Sequence, residues 1–173
     1  MVKATVVAVL VVSALAVASA RENDVIAKFD GGIGVIPVTG GAGTPNADGT
    51  LPNVKLNVVR GVSPAGPWRI ADLKAVVEAD GHIIVKGSGL LLASGNSIGQ
   101  NANASVIATL ICEAAQPFTL HNTASVALDP DGDFLINDTL DPAPQECGSP
   151  VLLIRSSGSG VWFAAGVPKL GGN

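Results

Sequence analysis

A G-x-S-x-G motif at 95–99 (GNSIG) is the first place where residue types and spacing suggest chemistry. This motif is typical of the nucleophile elbow of serine hydrolases, in which an acid precedes the histidine later in the chain. After Ser97 the only histidine is His121, and the only acid between them is Glu113. The pattern favours a polar, glycine-rich loop. A small secreted serine hydrolase at Ser97, using His121 or the acids of 129–146, stays open as an alternative.

Three alternating aspartates, Asp129, Asp131 and Asp133, resemble the start of a calcium loop. Calcium takes about six to eight oxygen ligands, so closely spaced carboxylates are a reasonable beginning. An EF-hand needs glycine at its sixth position and glutamate at its twelfth, where this chain has Phe134 and Leu140. Residues 129–146 nevertheless carry six acids and no Lys or Arg. The favoured interpretation is a solvated hairpin tip, and the alternative is a calcium-stabilised module with these three aspartates as metal ligands.

Trp68 and Trp162 are the candidates for stacking on a ligand ring. The chain has only two Trp, four Phe and no Tyr, so the competing interpretation is that both tryptophans anchor the core. His82 and His121 are too few to form a zinc site without acids from elsewhere. The predicted ligand-binding residues are therefore the two tryptophans, and no residue is predicted to be catalytic.

Cys112 and Cys147 are the only cysteines, and they lie 35 positions apart. No Cys-x-x-Cys motif occurs, and neither cysteine has a neighbouring His, Lys or Arg that would lower a thiol pKa. The pair is therefore predicted to form a structural disulfide, which persists in an oxidising compartment.

Residues 1–20 have the layout of a secretory signal peptide. Lys3 precedes an apolar run from Ala4 to Val17, and 18–20 (ASA) forms a small-x-small cleavage site. The run is close to the lower limit of roughly 17 residues for a membrane-spanning helix, so an uncleaved anchor is the alternative. The polar segment that begins at Arg21 favours cleavage after Ala20. We therefore expect a secreted or periplasmic domain of residues 21–173 with no membrane span after cleavage.

Length and composition narrow the remaining possibilities. A chain of 173 residues suits one domain, and a hydrophobic fraction of 47% excludes a disordered polypeptide. Ten Lys and Arg against 14 Asp and Glu give a net charge of -4. Because phosphate binding depends on basic patches, no nucleic acid partner is expected.

Short apolar runs separated by Gly, Pro, Asn and Asp predict β-strands. Two strands joined by a glycine-rich turn are predicted over 25–38, and the alternation of 53–62 predicts a half-buried strand. Residues 68–79 fit both a helix and a strand. Asp80-Gly81, the strongest two-residue hairpin pair, favours a hairpin there and leaves the helix as the alternative.

Further apolar runs at 105–112, 119–128, 133–137, 151–155 and 161–165 are also separated by turn residues. Regularly spaced short strands of this kind predict an all-β fold. The expected architecture is a single antiparallel β-sandwich or barrel built from hairpins, with one disulfide.

Four stretches, FDGGIGVIPV (29–38), NVVRGVSPAGPWRIADL (57–73), ADGHIIVKGSGLLLASGNSIG (79–99) and VWFAAGVPK (161–169), carry a resemblance. They resemble small exported bacterial proteins that have a signal peptide and no assigned activity. The resemblance implies a bacterial secreted domain and no catalytic residue. The predicted function is thus a non-enzymatic secreted β domain with a structural or binding role, whose partner is a surface component, another protein or a second copy.

Overall fold

The computed structural model describes residues 24–36, Ala47 and 57–169, and these residues contain eleven β-strands and no helix. In chain order the strands are β1 (Val25–Gly34), β2 (Trp68–Arg69), β3 (Asp72–Glu78), β4 (His82–Ser88), β5 (Leu91–Leu92), β6 (Ser105–Ile111), β7 (His121–Asn122), β8 (Val126–Ala127), β9 (Phe134–Thr139), β10 (Val151–Ser156) and β11 (Trp162–Pro168). The predicted all-β class is confirmed. The predicted signal peptide, 1–20, lies outside the described residues.

Nine strands form one curled antiparallel sheet, a half-barrel, in the order β7-β6-β10-β11-β1-β3-β4-β9, with β8 also paired to β6. Strands β2 and β5 form a separate pair. The curl brings the two ends of the sheet together, because Asn122 and Asp141 exchange two backbone hydrogen bonds of 3.0 and 2.8 Å. The Asp138 carboxylate also accepts the backbone N–H of Ala124 at 2.6 Å.

The hairpin of β3 and β4 confirms the prediction made from Asp80-Gly81, and the helix considered for 68–79 is wrong. Leu73, Ala75 and Val77 are buried while the residues between them face solvent, which is the period of two of a strand. The connection is a three-residue loop, 79–81, rather than the expected two-residue turn. Gly81 has a φ of 90° and donates its N–H to the Glu78 carbonyl, an arrangement typical of a turn followed by a left-handed glycine.

Two local predictions are wrong. Val25–Gly34 is one continuous strand, because Gly31, with a φ of 98°, forms a bulge instead of a reversing turn. The strand predicted over 53–62 is replaced, in its described part, by a tight turn in which Val59 and Val62 bond each other. Residues 53–56 lie outside the described part.

The core fills the inside of the curl, but β6 and β10 are buried on both faces. Leu152, Leu153 and Ile154 are consecutive and all have no exposed surface. Side chains alternate between faces along a strand, so the outer face is also covered. The disulfide between Cys112 and Cys147 is present, as predicted, and joins the end of β6 to the segment before β10.

Candidate functional site

A cleft of about 760 Å³ lies beside β10, among the loops that cover the sheet there. Its walls come from 60–63, from 116–118 with Leu120, and from Arg155 with 159–161. This volume falls in the range of about 300–1,000 Å³ in which proteins hold small ligands. Two of the chain's four arginines, Arg60 and Arg155, are part of the lining.

Arg60 is held in place by its own turn and by neutral acceptors. Arg60 and Gly61 both have positive φ, 45° and 82°, and the carbonyl and N–H groups of Val59 and Val62 bond each other around them. This is a type I′ turn, in which a residue other than Gly, Asn or Asp is conformationally strained. The Arg60 guanidinium donates to the carbonyls of Ile111 (3.1 Å) and Ser149 (2.6 Å) and to Ser149 Oγ (2.6 Å).

Arg155 enters the cleft from the end of β10. Its Nε donates to the carbonyl of Gly160 at 2.8 Å. Its Nη1 lies at 3.3 Å from Thr109 Oγ1 and 3.4 Å from Asn122 Oδ1, which are long contacts to uncharged oxygens. Burial lowers the pKa of the Arg155 guanidinium below its ordinary value, because desolvation disfavours its charged form. The side chain remains a cation at neutral pH.

Neither arginine has a carboxylate partner among the residues that the structure describes. The ion pairs found there join Lys169 to Asp30 at 3.2 Å and His82 to Glu78 at 3.4 Å. A partly buried cation without a counter-ion is costly, because the neutral acceptors replace only part of its lost hydration. The cleft therefore presents two positive charges that an anion would complement.

The acidic residue on the loop that follows β6 is already engaged. Glu113 follows Cys112, and its carboxylate accepts the backbone N–H of Thr119 at 3.2 Å. Hydrogen bonds from Thr119 lower the pKa of the Glu113 carboxyl, since they favour its charged form. Glu113 does not belong to the cleft lining.

The disulfide positions two parts of this site. The Ser149 N–H donates to the Cys112 carbonyl at 3.1 Å, next to the bridge between Cys112 and Cys147. Both acceptors of Arg60, Ile111 and Ser149, are therefore within two residues of a bridged cysteine. Cys112 is also the start of the loop that supplies residues 116–118 and Leu120 to the cleft wall.

The structure places Ser97 in an exposed turn. The Gln100 N–H donates to the Ser97 carbonyl in a local turn. His121 is buried, and its Nδ1 lies 2.6 Å from the Pro142 carbonyl. No hydrogen bond among the described residues joins Ser97 to His121, and the hydrolase alternative stays a prediction.

Asp129, Asp131 and Asp133 form the expected exposed turn between β8 and β9. The Asp133 carboxylate accepts the Gly89 N–H at 3.0 Å, and the Asp129 carbonyl accepts the Gly132 N–H. Within 24–36, 47 and 57–169, no three His, Cys, Asp or Glu side chains are grouped as metal ligands would be. The calcium alternative is not tested by this and stays a prediction.

Trp68 and Trp162 are each only 5% exposed. Trp68 stacks on Phe163 with ring centroids 4.2 Å apart, and Trp162 Nε1 donates to the Asn57 carbonyl at 2.9 Å. Neither tryptophan lines the cleft. Their packing supports the interpretation as core anchors, and stacking on a ligand remains a prediction.

The two arginines were not among the residues predicted from sequence, although a weak signal exists. Arg60 has no acid closer than Asp48 and Asp72, and Arg155 none closer than Glu146. An isolated arginine in an acidic chain has no local counter-ion, but only the fold shows that the two share a cleft.

Comparisons with known proteins found no match to this chain among protein-family models, curated proteins or solved structures. The described residues include no helix able to cross a membrane. The resemblance to small exported bacterial proteins stays a prediction.

Proposed function

We propose that this chain is a non-enzymatic binding domain that takes an anionic ligand in the Arg60–Arg155 cleft. The observation that carries the proposal is that two guanidinium groups face one cleft without a carboxylate partner among the described residues. Arginine is suited to this role, because its planar fork bonds two oxygens of a carboxylate or phosphate at once. A bound anion would restore the interactions that each cation loses by burial.

Binding rather than catalysis is favoured by the other residues of the cleft. Its described lining holds Ser63, Gln116 and Ser159 as neutral polar groups, and no His, Asp, Glu or Cys. General acid–base chemistry needs a group that titrates near the working pH, within hydrogen-bond reach of the substrate. The lining supplies donors that orient a ligand and no such group.

The proposal includes export of the domain from a bacterial cell. The signal-peptide pattern of residues 1–20 supports it, as does the disulfide, which is typical of proteins in oxidising compartments. A secreted binding domain of this type would meet its ligand outside the cytosol or at the cell surface.

The direct test is anion binding by the wild-type chain and three variants. Acetate, sulfate and inorganic phosphate are titrated at low ionic strength while the Arg Nε–H signals are followed by NMR. Arg155→Gln removes one cation. Arg60→Asn removes the other and keeps a type I′ turn, since Asn-Gly is the preferred pair there. Arg69→Gln is the matched control, because Arg69 is exposed on β2 outside the cleft.

We expect at least one anion to shift the Arg155 Nε–H signal, and each cleft variant to raise its Kd by about tenfold or more. This follows from the loss of a charge-assisted hydrogen bond worth about 1.5–3 kcal/mol. The control should bind as the wild type does. Absence of binding in the wild type, or equal Kd values in all four proteins, would refute the proposed function.

A further inference from the structure

The apolar part of the cleft indicates what kind of anion it takes. Beside the two arginines the lining includes Val62, Pro117, Phe118, Leu120 and Val161. Phe118, Leu120 and Val161 are partly buried and pack against the core, so they form a fixed wall. We infer that the ligand is a small amphipathic organic anion, one oxyanion head on an alkyl or aryl body; this inference rests on the proposed function.

Both arginines of the cleft contact the same strand. Arg155 bonds Thr109 and Arg60 bonds Ile111, two residues further along β6. Two strand residues span roughly 7 Å. The two anchor points therefore lie close together along β6, and both arginines line the same cleft. We assign the oxyanion head of the ligand to this arginine-lined part of the cleft.

The size of the cleft argues against an inorganic ion as the whole ligand. At about 760 Å³ the cleft has room for many atoms besides an oxyanion, since one water occupies about 30 Å³ of liquid. The space left beside the head is open to solvent and borders the apolar wall on one side. An alkyl or aryl body placed against this wall is partly removed from water, which strengthens binding in proportion to the buried area.

The charges argue against a polyanion. Two arginines are the only cations of the described lining, and the chain as a whole carries a net charge of -4. A nucleic acid or another polymer with many charges needs a long basic track and is repelled by an acidic surface. A ligand with a single charged head avoids this repulsion.

The test measures how affinity depends on the length of the apolar body. The wild-type protein, expressed from its full-length sequence and purified, is titrated with acetate, butanoate, hexanoate and octanoate. Each acid is kept below its micelle concentration. Octyl sulfate tests the other head chemistry, and 1-octanol is the neutral matched probe. The variant Phe118→Ala shortens the apolar wall. Ile98→Ala is the matched control, because Ile98 is 63% exposed and lies outside the cleft.

We expect affinity to rise about two- to fourfold per added methylene until the wall is covered. This slope should fall in Phe118→Ala and persist in Ile98→Ala. Arg155→Gln should weaken octanoate by tenfold or more and leave 1-octanol, itself the weaker ligand, unaffected. A preference for octyl sulfate over octanoate would assign a sulfate head, and the reverse a carboxylate; either supports an amphipathic anion.

Three outcomes would overturn the inference, and they are distinguishable. If acetate or phosphate binds in an arginine-dependent way but affinity does not grow with chain length, the amphipathic ligand is wrong while the proposed function stands. If 1-octanol binds as tightly as octanoate, the head is unused and the amphipathic anion is wrong, while the titrations of acetate, sulfate and phosphate decide the proposed function. Failure of every anion to bind rejects both the amphipathic anion and the proposed function.

Discussion

Among the described residues, the Arg155 guanidinium bonds neutral oxygens only, and this arrangement has a consequence for stability. Because burial of an unpaired charge is costly, replacing it by an apolar side chain of similar length is often neutral or stabilising. Stability and function are commonly traded at binding sites. An arginine kept for a ligand should therefore be dispensable for folding.

We predict that Arg155→Met leaves the free energy of unfolding of the ligand-free protein within about 1 kcal/mol of wild type, or raises it. Urea unfolding followed by circular dichroism measures this, with Arg69→Met as the control. A loss of 2 kcal/mol or more would show instead that the bond from Arg155 to the Gly160 carbonyl is structural.

A second prediction concerns His82 and pH. The pKa of His82 is raised from its ordinary value of 6.5 chiefly by the hydrogen bond to Asn137, with smaller contributions from Glu78 and Asp80. A raised native pKa stabilises the fold below 6.5, and this stabilisation disappears as the pH rises through the native value. The unfolding free energy of wild type relative to His82→Gln should be larger at about pH 5 than at about pH 8. A difference that does not change with pH contradicts the prediction.

Single residues also show which features of the structure could be predicted from the sequence and which could not. The cysteine pairing was predictable, because only one pair exists. Arg60 was not, because the stretch 53–62 looks like an alternating strand until the type I′ turn between Val59 and Val62 is seen. Arg-Gly is not a preferred pair for that turn, so its bonds to Ile111 and Ser149 outweigh the local preference.

At the level of elements, the disulfide and the loop that follows β6 act together. The bridge closes a 35-residue separation, which restricts the unfolded chain and holds the acceptors of Arg60 beside one another. Replacing both cysteines by serine should lower the free energy of unfolding by about 2–4 kcal/mol. The same variant should also weaken anion binding, because Ile111 and Ser149 are no longer fixed. Urea unfolding and the titrations above measure the two effects, and unchanged anion affinity would show that the loops hold the cleft without the bridge.

The packing of β1 against β2 depends on the absence of a side chain at Gly34. A Cβ atom there would lie 2.3 Å from the Trp68 carbonyl oxygen and 2.7 Å from the Arg69 Cα, both backbone atoms. We predict that Gly34→Ala destabilises the protein by about 2 kcal/mol or more. Gly148→Ala is the control, since a Cβ atom there meets nothing within 4 Å. Equal unfolding midpoints for the two variants would contradict the prediction.

Element prediction succeeded where local chemistry and periodicity agree. Alternation in β3 and β4 and the turn residues at Asp80-Gly81 indicate the same hairpin, and the structure contains it. Prediction failed at Gly31-Gly32, because a glycine pair fits both a reversing turn and a bulge. Which of the two forms depends on the neighbours β11 and β3, with which β1 pairs along its length.

At the level of the whole molecule, the all-β class followed from composition and spacing, whereas the strand order did not. Strand β1 pairs with β11, from the other end of the chain, and β4 pairs with β9. Such distant pairings are set by how the curled sheet encloses its core, and they leave no local sequence pattern. The cleft likewise leaves no local sequence pattern, because its lining comes from loops at 60–63, 116–120 and 159–161 that are distant in the chain.

The two ends of the sheet meet at Asn122 and Asp141, and fewer pairing interactions hold this seam than hold the central strands together. In the described chain, one isolated bridge and the bond from the Ala124 N–H to the Asp138 carboxylate join them, whereas six residue pairs join β6 to β10. We therefore expect this seam to open locally at a lower free energy than is needed to separate two central strands. In deuterium exchange, the amides of Asn122 and Asp141 should lose protection well before those of Leu152 and Ile154. The curled sheet would then open first at this seam while its central strands stay paired.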